Sequence, residues 1–357
     1  FLEMGRETKE KPWFLYLAFN APHFPLHAWP EDIAKYATRY DVGWDTIREE
    51  RLKRMKALGV VSKDSALSKR SLYWDWGETQ ALRNPAWDSL PTDRRGDLAR
   101  RMAIYAAMVD QMDRNIGRVI TDLKSHDEFA NTLIIFISDN GACYEWDPFG
   151  FDIWSGRNNK LHWGEQLETM GNADSYHSIG SGWSNASNTP FRLYKHYSHE
   201  GGISMPAIIH WPQGDLARGT INNTPAHIID LVPTLLEAAG SEYPQQWEGE
   251  STLPLPGVSL LSTWRANDTG DTRTLFFEHQ GSRAVREGNW KLVATRGEPW
   301  ELYDISKDRI ESRNLVKRHP KLAKSLEAKW DRWAEDNQVT PLPKDLGAEY
   351  LPVLNPE

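Results

Sequence analysis

The chain reads as an α/β protein carrying a smaller antiparallel module at its C-terminal end, and three observations predict that class. Residues 133–137, Leu-Ile-Ile-Phe-Ile, form a continuous apolar run between Asn131-Thr132 and Ser138-Asp139-Asn140-Gly141. Such a β-branched run is the mark of a strand buried on both faces, as in parallel sheets. From Asp97 to Lys124, Leu98, Met102, Tyr105, Val109, Met112, Ile116, Val119, Ile120 and Leu123 recur at steps of three and four. That spacing predicts one long amphipathic helix. From about Leu275 the texture changes to short strand candidates at 274–278, 290–295 and 301–305, with turns such as Arg296-Gly297-Glu298-Pro299 between them. An amphipathic helix over 320–336 follows, which gives a small antiparallel sheet and one helix packed on the larger α/β layer.

Taken in order, Phe1-Leu2-Glu3-Met4 reads as the tail of a helix. The start at Phe1 shows no initiator Met, signal peptide or lipidation motif, and reads as a piece of a longer protein. Residues 13–19, Trp-Phe-Leu-Tyr-Leu-Ala-Phe, are a second buried-strand candidate, running into Asn20-Ala-Pro-His23-Phe-Pro-Leu-His27. The two prolines there force extended or turn geometry. Residues 44–95 are polar and rich in Arg and Lys, and are expected to be an insertion with one helix over roughly 46–58 on the solvent side. After the 133–137 strand, residues 142–190 are dense in Gly, Asn, Ser and Trp. A loop of that length is uncommon without a role, and its aromatics argue for substrate binding over a disordered linker. Residues 206–211 predict another core strand. His227–Ala239 predicts a helix that Pro233 either kinks or delays. The expected division is an α/β domain over 1–270 and an α+β subdomain over 271–357.

At 357 residues and 39% hydrophobic content the chain is that of a globular protein with one large domain, or a large and a small one. Its net charge is −8, and no basic stripe of the kind that binds nucleic acid is present. No apolar run approaches the roughly 18 residues of a membrane span. The single cysteine, Cys143, excludes an internal disulfide. Many of the 17 Trp fall in loop-like segments, among them Trp29, Trp44, Trp74, Trp76, Trp146, Trp154, Trp163 and Trp183. Packing beneath loops is the commoner use of such residues, and stacking on sugar or aromatic ligands the other.

Asp139 and Asn140 sit where a strand leaves the sheet, the edge at which open α/β sheets hold ligands. A carboxylate beside an amide offers hard oxygens suited to Ca²⁺ or Mg²⁺ rather than zinc; an Asn-Gly turn is the plainer reading. Three further segments keep them company: the 20–27 run, Tyr194-Lys195-His196-Tyr197-Ser198-His199-Glu200-Gly201-Gly202, and Ile229-Asp230-Leu231-Val232-Pro233-Thr234-Leu235. Together, in this order and spacing, they resemble the type I, formylglycine-dependent sulfatases, the arylsulfatase branch of the alkaline-phosphatase superfamily. The resemblance extends through Asn289-Trp290-Lys291-Leu292 and Glu301-Leu302-Tyr303-Asp304.

The resemblance implies a mixed, mostly parallel central sheet flanked by helices. It implies that Asp139 and Asn140 ligate one Ca²⁺, that Lys195 grips a sulfate oxygen, and that His23 contacts the sulfate and helps protonate the leaving alcohol. Those roles suit the chemistry, because cleaving a sulfate ester needs cations around oxygens that gain charge and an acid near the departing oxygen. Glu200-Gly201-Gly202 is expected to shape the backbone behind Lys195. His27 and His199 are candidates to support the site, while His162, His177, His196, Trp183, Asn185 and Asn188 are candidates to line the substrate pocket.

The family's paired N-terminal aspartates and its Cys-x-Pro-x-Arg segment, whose Cys becomes formylglycine, do not occur here. Cys143 begins Cys-Tyr-Glu-Trp-Asp, without the Pro and Arg, and is expected to be a pocket-wall or core residue. The chain therefore resembles the C-terminal two-thirds of a sulfatase. Without the N-terminal segment, the 13–19 and 133–137 strands are expected to expose apolar side chains and unpaired backbone. The chain alone is then expected to bind Ca²⁺ weakly and hydrolyse nothing. The implied substrate is an aryl or carbohydrate sulfate, and the implied location is the periplasm or outside the cell. Two other readings stand: a phosphatase or phosphonate hydrolase of the same superfamily, against which Asn140 speaks because zinc favours imidazole, and a non-catalytic glycan-binding relative.

Overall fold

The structure, a computed structural model, describes residues 1–7, 11–73, 82–144, 147–155, 158–266 and 273–339. Trp74, Trp76 and Trp146 lie outside them. The chain opens with α1 (Leu2–Glu7) and α2 (Pro30–Ala34), followed by α3 (Gly43–Ala57) and the short pair β1 (Leu72–Tyr73) and β2 (Leu82–Arg83). The predicted long helix is α4 (Thr92–Ser125), and β3 (Ile134–Ile137) follows it. α5 (Gln166–Thr169), α6 (Gly180–Ser187) and α7 (Glu200–Ile203) precede β4 (Ala207–His210). Next come α8 (Leu231–Ala238), β5 (Gln246–Trp247), β6 (Glu250–Ser251) and α9 (Leu261–Ala266). The C-terminal part is β7 (Thr274–His279), β8 (Ser282–Glu287), β9 (Trp290–Ala294), β10 (Glu301–Asp304) and α10 (Pro320–Asp336). Its four strands form one antiparallel sheet in the order β10-β9-β8-β7. Leu326 and Ala323 of α10 pack on Val285, Leu292 and Leu302 of that sheet.

The main core forms on the apolar face of α4. Leu98, Met102, Ala103, Ile104 and Ala107 pack with Ile33, Trp44, Ile47, Trp87 and Trp183. Trp44 meets Trp87 edge-on at 4.9 Å and Trp183 at 5.8 Å, and the Trp183 indole donates to Leu98 O at 2.8 Å. The helix expected over roughly 46–58 forms as α3, with most of its residues at least partly open to solvent. α3 buries Trp44 and Ile47, one turn apart, and its sparse apolar content hides a deep anchor.

Two strand expectations came out differently from one another. β3 forms and pairs antiparallel with β4, in the register Ile135↔Ile209. Residues 13–19 run without a ladder partner among the described residues, with Tyr16 80% and Phe14 67% exposed. A strand is defined by its neighbour, and among the described residues none pairs with this run, while β3 and β4 pair only with each other. Phe136 with its cross-strand partner Ile208, and Ile137 on the opposite face, are also exposed, so apolar side chains lie open on both faces of the β3–β4 pair.

Pro233 delays the helix rather than kinking it. A 3-10 turn at Ile228–Asp230 leads into α8, with Pro233 in the first α-helical turn, where its missing N–H costs nothing. The buried Asp230 carboxylate accepts from His227 N at 2.7 Å and Val258 N at 3.1 Å, and is held by Arg273. Thr234 Oγ1 donates to Asp230 O at 2.6 Å and accepts from Leu260 N at 2.9 Å. Thr234→Val leaves the Leu260 N–H buried without its acceptor. It is expected to cost about 1–3 kcal/mol, read as a lower urea midpoint with an unchanged m-value.

Candidate active site

Where β3 ends, its exit loop is stitched to the 188–202 segment by main-chain bonds. Gly141 N donates to Gly202 O at 3.0 Å, and Lys195 N donates to Ala142 O at 3.2 Å. The Asn188 side chain joins the same two stretches, accepting from Ala142 N at 2.9 Å and donating to Leu193 O at 3.0 Å. The glycines are required by this closeness. A Cβ at Gly141 would sit 1.9 Å from Gly201 O, and one at Gly202 would sit 1.9 Å from Tyr197 O. The expected role of Glu200-Gly201-Gly202 is therefore visible as backbone contact. Leu193 and His196, on either side of Lys195, have φ of 64° and 79°, a left-handed conformation that costs a non-glycine residue about 1–3 kcal/mol.

This framework carries Lys195 Nζ to 3.4 Å from His23 Nε2. The His23 Nδ1 lies 2.9 Å from Phe24 O. A carbonyl can only accept, so Nδ1 carries the proton, and Nε2 faces the ammonium as an acceptor. Nε2 is then the nitrogen turned toward Lys195.

At the strand end Asp139 is exposed, and its carboxylate has no hydrogen-bond partner among the described residues. Asn140 Nδ2 donates to Gly141 O at 3.0 Å, leaving the amide oxygen uncommitted. Two hard oxygens are thus free on adjacent residues, a donor set that fits Ca²⁺.

Behind Lys195 lie two ionic networks that composition did not announce. Fully buried His199 presents Nε2 to Arg192 at 3.0 Å and to Glu301 at 3.1 Å. Burial, then Arg192, push the imidazole pKa down, so His199 is neutral. Burial opposes ionisation of Glu301, but the bond to His199 and the charge of Arg192 outweigh it and hold the carboxyl at about 2. Next to it, buried Lys291 pairs with Glu200 and Glu311, each at 2.9 Å, and Arg309 pairs with Glu200 at 3.1 Å. Burial again opposes the Glu200 charge, and Lys291 and Arg309 overcome it, to about 2. Lys291 and Glu301 come from β9 and β10, so the C-terminal sheet buttresses the Lys195 segment. β7 also reaches the site: His279 Nε2 lies 3.1 Å from His196 Nδ1.

The 142–190 segment divides. Trp154 and Trp163 are exposed, 60% and 53%. By contrast, residues 177–191 are mostly core, which removes three of the expected pocket residues: Trp183 is buried, Asn185 accepts from Ser71 N at 3.0 Å, and Asn188 ties the loops as above. His27 Nε2 contacts Ser175 O at 2.7 Å. His162 and His177 belong to a buried cluster centred on Arg101. Arg101 donates to both oxygens of Asp152 (2.9 and 3.0 Å) and to Asp97 at 3.2 Å. His162 Nδ1 lies 3.0 Å from Asp97, and His177 Nδ1 contacts Asp152. A signal existed in the sequence, since Asp97 and Arg101 stand i, i+4 immediately beside the apolar positions Leu98 and Met102 of α4.

Residues 1–241 match the family model described as sulfatase, and residues 191–336 match that described as N-sulphoglucosamine sulphohydrolase, C-terminal. An uncharacterised sulfatase of Schizosaccharomyces pombe is 33% identical, over 99% of this chain and 63% of its own length. The arylsulfatase of Klebsiella aerogenes is also 33% identical, over 71% of this chain and 51% of its own. The chain thus spans about half to two-thirds of the length of these curated relatives. The solved structure of Ps i-CgsB with a k-i-k-neocarrahexaose superposes with a TM-score of 0.57 at 22% identity, covering 94% of this chain and 53% of that one.

Proposed function

Because the chain belongs to the sulfatase family, we propose that it carries the sulfate-gripping and proton-delivering part of an active site that cleaves sulfate esters to an alcohol and sulfate. The observation that carries this reading is the pairing of Lys195 Nζ with His23 Nε2 at 3.4 Å, on a backbone stitched to the Asp139-Asn140 strand end. Lys195 holds a non-bridging sulfate oxygen. His23, fixed by Phe24 O at Nδ1, carries a proton on Nε2 to the departing oxygen, which would otherwise leave as an alkoxide or phenoxide. Asp139 and Asn140 would hold Ca²⁺, which supplies Lewis-acid neutralisation of the sulfate's charge. The formylglycine nucleophile that the family uses has no counterpart among this chain's residues, and neither do the paired aspartates. We assign both to sequence upstream of Phe1, along with strands that would cover Tyr16, Phe14 and Ile208.

The substrate class we favour is an aryl or carbohydrate sulfate. The named arylsulfatase relative supports the former, and the exposed Trp154 and Trp163, which offer flat stacking faces, fit either. No helix among the described residues is long and apolar enough to cross a membrane, and we place the protein in the periplasm or outside the cell. We retain the division at residue 270 between an α/β domain and an α+β subdomain. The test is turnover of 4-nitrophenyl sulfate against 4-nitrophenyl phosphate by the protein with its upstream sequence. Sulfate preference supports the reading, and phosphate preference overturns it. The 357-residue chain alone is expected to turn over neither.

Chelation gives a second check. Treating the complete protein with EGTA should lower turnover by about a hundredfold or more, on the several kcal/mol that a Lewis acid contributes. Added Ca²⁺ should restore it, but not in Asp139→Ala.

A further inference from the structure

We propose that His162 and His177 form a transition-metal site, separate from Asp139 and Asn140, that staples the 158–162 and 175–178 stretches together against α4. This does not rest on the sulfatase reading.

The two imidazole centroids are 5.1 Å apart and their planes stand at 81°. Two imidazoles on one tetrahedral ion, with metal–nitrogen bonds of about 2.0–2.1 Å, place their centroids roughly 5 Å apart. Each ring already has its Nδ1 held by a carboxylate, His162 by Asp97 and His177 by Asp152. That is the arrangement that orients ligating histidines and raises their basicity. It leaves both Nε2 atoms without a hydrogen-bond partner among the described residues. Asp152, His162 and His177 each bring one ligand-type atom within 4.8 Å of the others. The Asp152 oxygens are taken by Arg101, His177 and Lys160 N, so its carboxylate orients rather than ligates. The protein then gives two nitrogens, and solvent fills the remaining positions.

The charges in this cluster set the metal preference. Asp97 and Asp152 are matched by Arg94 and Arg101, so the cluster is close to neutral and has no spare oxyanion to draw Ca²⁺ or Mg²⁺. Neutral imidazole favours Zn²⁺, Ni²⁺ or Cu²⁺ instead. The position gives the site a consequence, because Leu26 N donates to His177 O at 3.0 Å and His27 contacts Ser175 O. A metal there would stiffen the segment that carries His23.

The test is titration of the chelator-stripped full chain with Co²⁺, read by its visible absorption, and with Zn²⁺, read by calorimetry. One equivalent should bind, unaffected by millimolar Ca²⁺, and should raise the thermal midpoint. His162→Gln, at a partly exposed position, should weaken binding at least tenfold, and His177→Gln likewise, while Asp139→Ala should leave it unchanged. Crystals soaked in Zn²⁺ should show one anomalous peak within bonding distance of both Nε2 atoms, a readout that needs no variant. Failure to bind one equivalent, binding that survives His162→Gln, or a peak elsewhere would each overturn the proposal.

Discussion

Lys195→Ala in the complete protein is expected to lower kcat/KM for an aryl sulfate by about 10²–10³, the loss seen when one donor to a developing negative charge is removed. His23→Ala should cost about 10²–10⁴, and the two losses should differ in kind. The proton from His23 matters most when the leaving group is a poor one, so His23→Ala should injure hydrolysis of a sugar sulfate far more than that of 4-nitrophenyl sulfate. In the proposed site Lys195 acts on the sulfate itself, so its removal should hurt both substrates about equally. The side chains touch each other at 3.4 Å, which predicts coupling: the double variant should lose less than the product of the two single losses. Because Lys195 Nζ has His23 as its one hydrogen-bond partner among the described residues, the Lys195→Ala unfolding midpoint should stay within experimental error of the parent. Equal losses on good and poor leaving groups in His23→Ala would remove it from the role of acid.

How far the sequence announced this arrangement depended on what each signal encodes. α4 and α10 were legible because a buried helix face repeats every three to four residues, and 320–336 matches the observed Pro320–Asp336. β3 was legible from its apolar run. Residues 13–19 are an equally continuous apolar run, aromatic rather than β-branched, yet form no ladder among the described residues, because side-chain pattern records the wish for burial and not the presence of a neighbour. α3 forms where a helix was expected, but its two deep anchors, Trp44 and Ile47, went unannounced because its charged residues outvote them in any average. Of the proposed site, the motif positions His23, Asp139, Asn140 and Lys195 are the ones the sequence singles out. What holds them was less visible: Asn188 and Arg192 lie in the same stretch as Lys195, but Lys291, Glu301 and Glu311 come from a distant one, and only the fold brings them behind it. The cluster around Arg101 escaped for a related reason, as a charged pair beside the apolar stripe of α4 looks like solvent-facing polarity until the stripe is seen to be wide.

Lys291→Met is expected to destabilise the chain by about 3–5 kcal/mol. Lys291 is fully buried between Glu200 and Glu311, which are 2% and 0% exposed. Removing the cation leaves carboxylates in a medium that penalises their charge, and breaking a buried pair on one side costs more than the pair contributed. The variant should also have a distinct pH signature. In the parent, Glu200 and Glu301 are held at about 2, below the roughly 4.3 of an unfolded glutamate. A depressed carboxylate contributes stability that is fully present above the unfolded value and is lost as pH falls through the folded one. The parent should therefore weaken between about pH 4 and pH 2. In Lys291→Met, Glu200 loses its main stabilising charge and its pKa rises, so acid neutralises the stranded carboxylate instead of breaking an ion pair. The stability gap between parent and variant should be widest at pH 7 and narrow toward pH 3, measured by urea unfolding at each pH. A gap constant with pH would mean that Lys291 acts by packing its aliphatic stem, and the buttress behind Lys195 would then be steric rather than ionic.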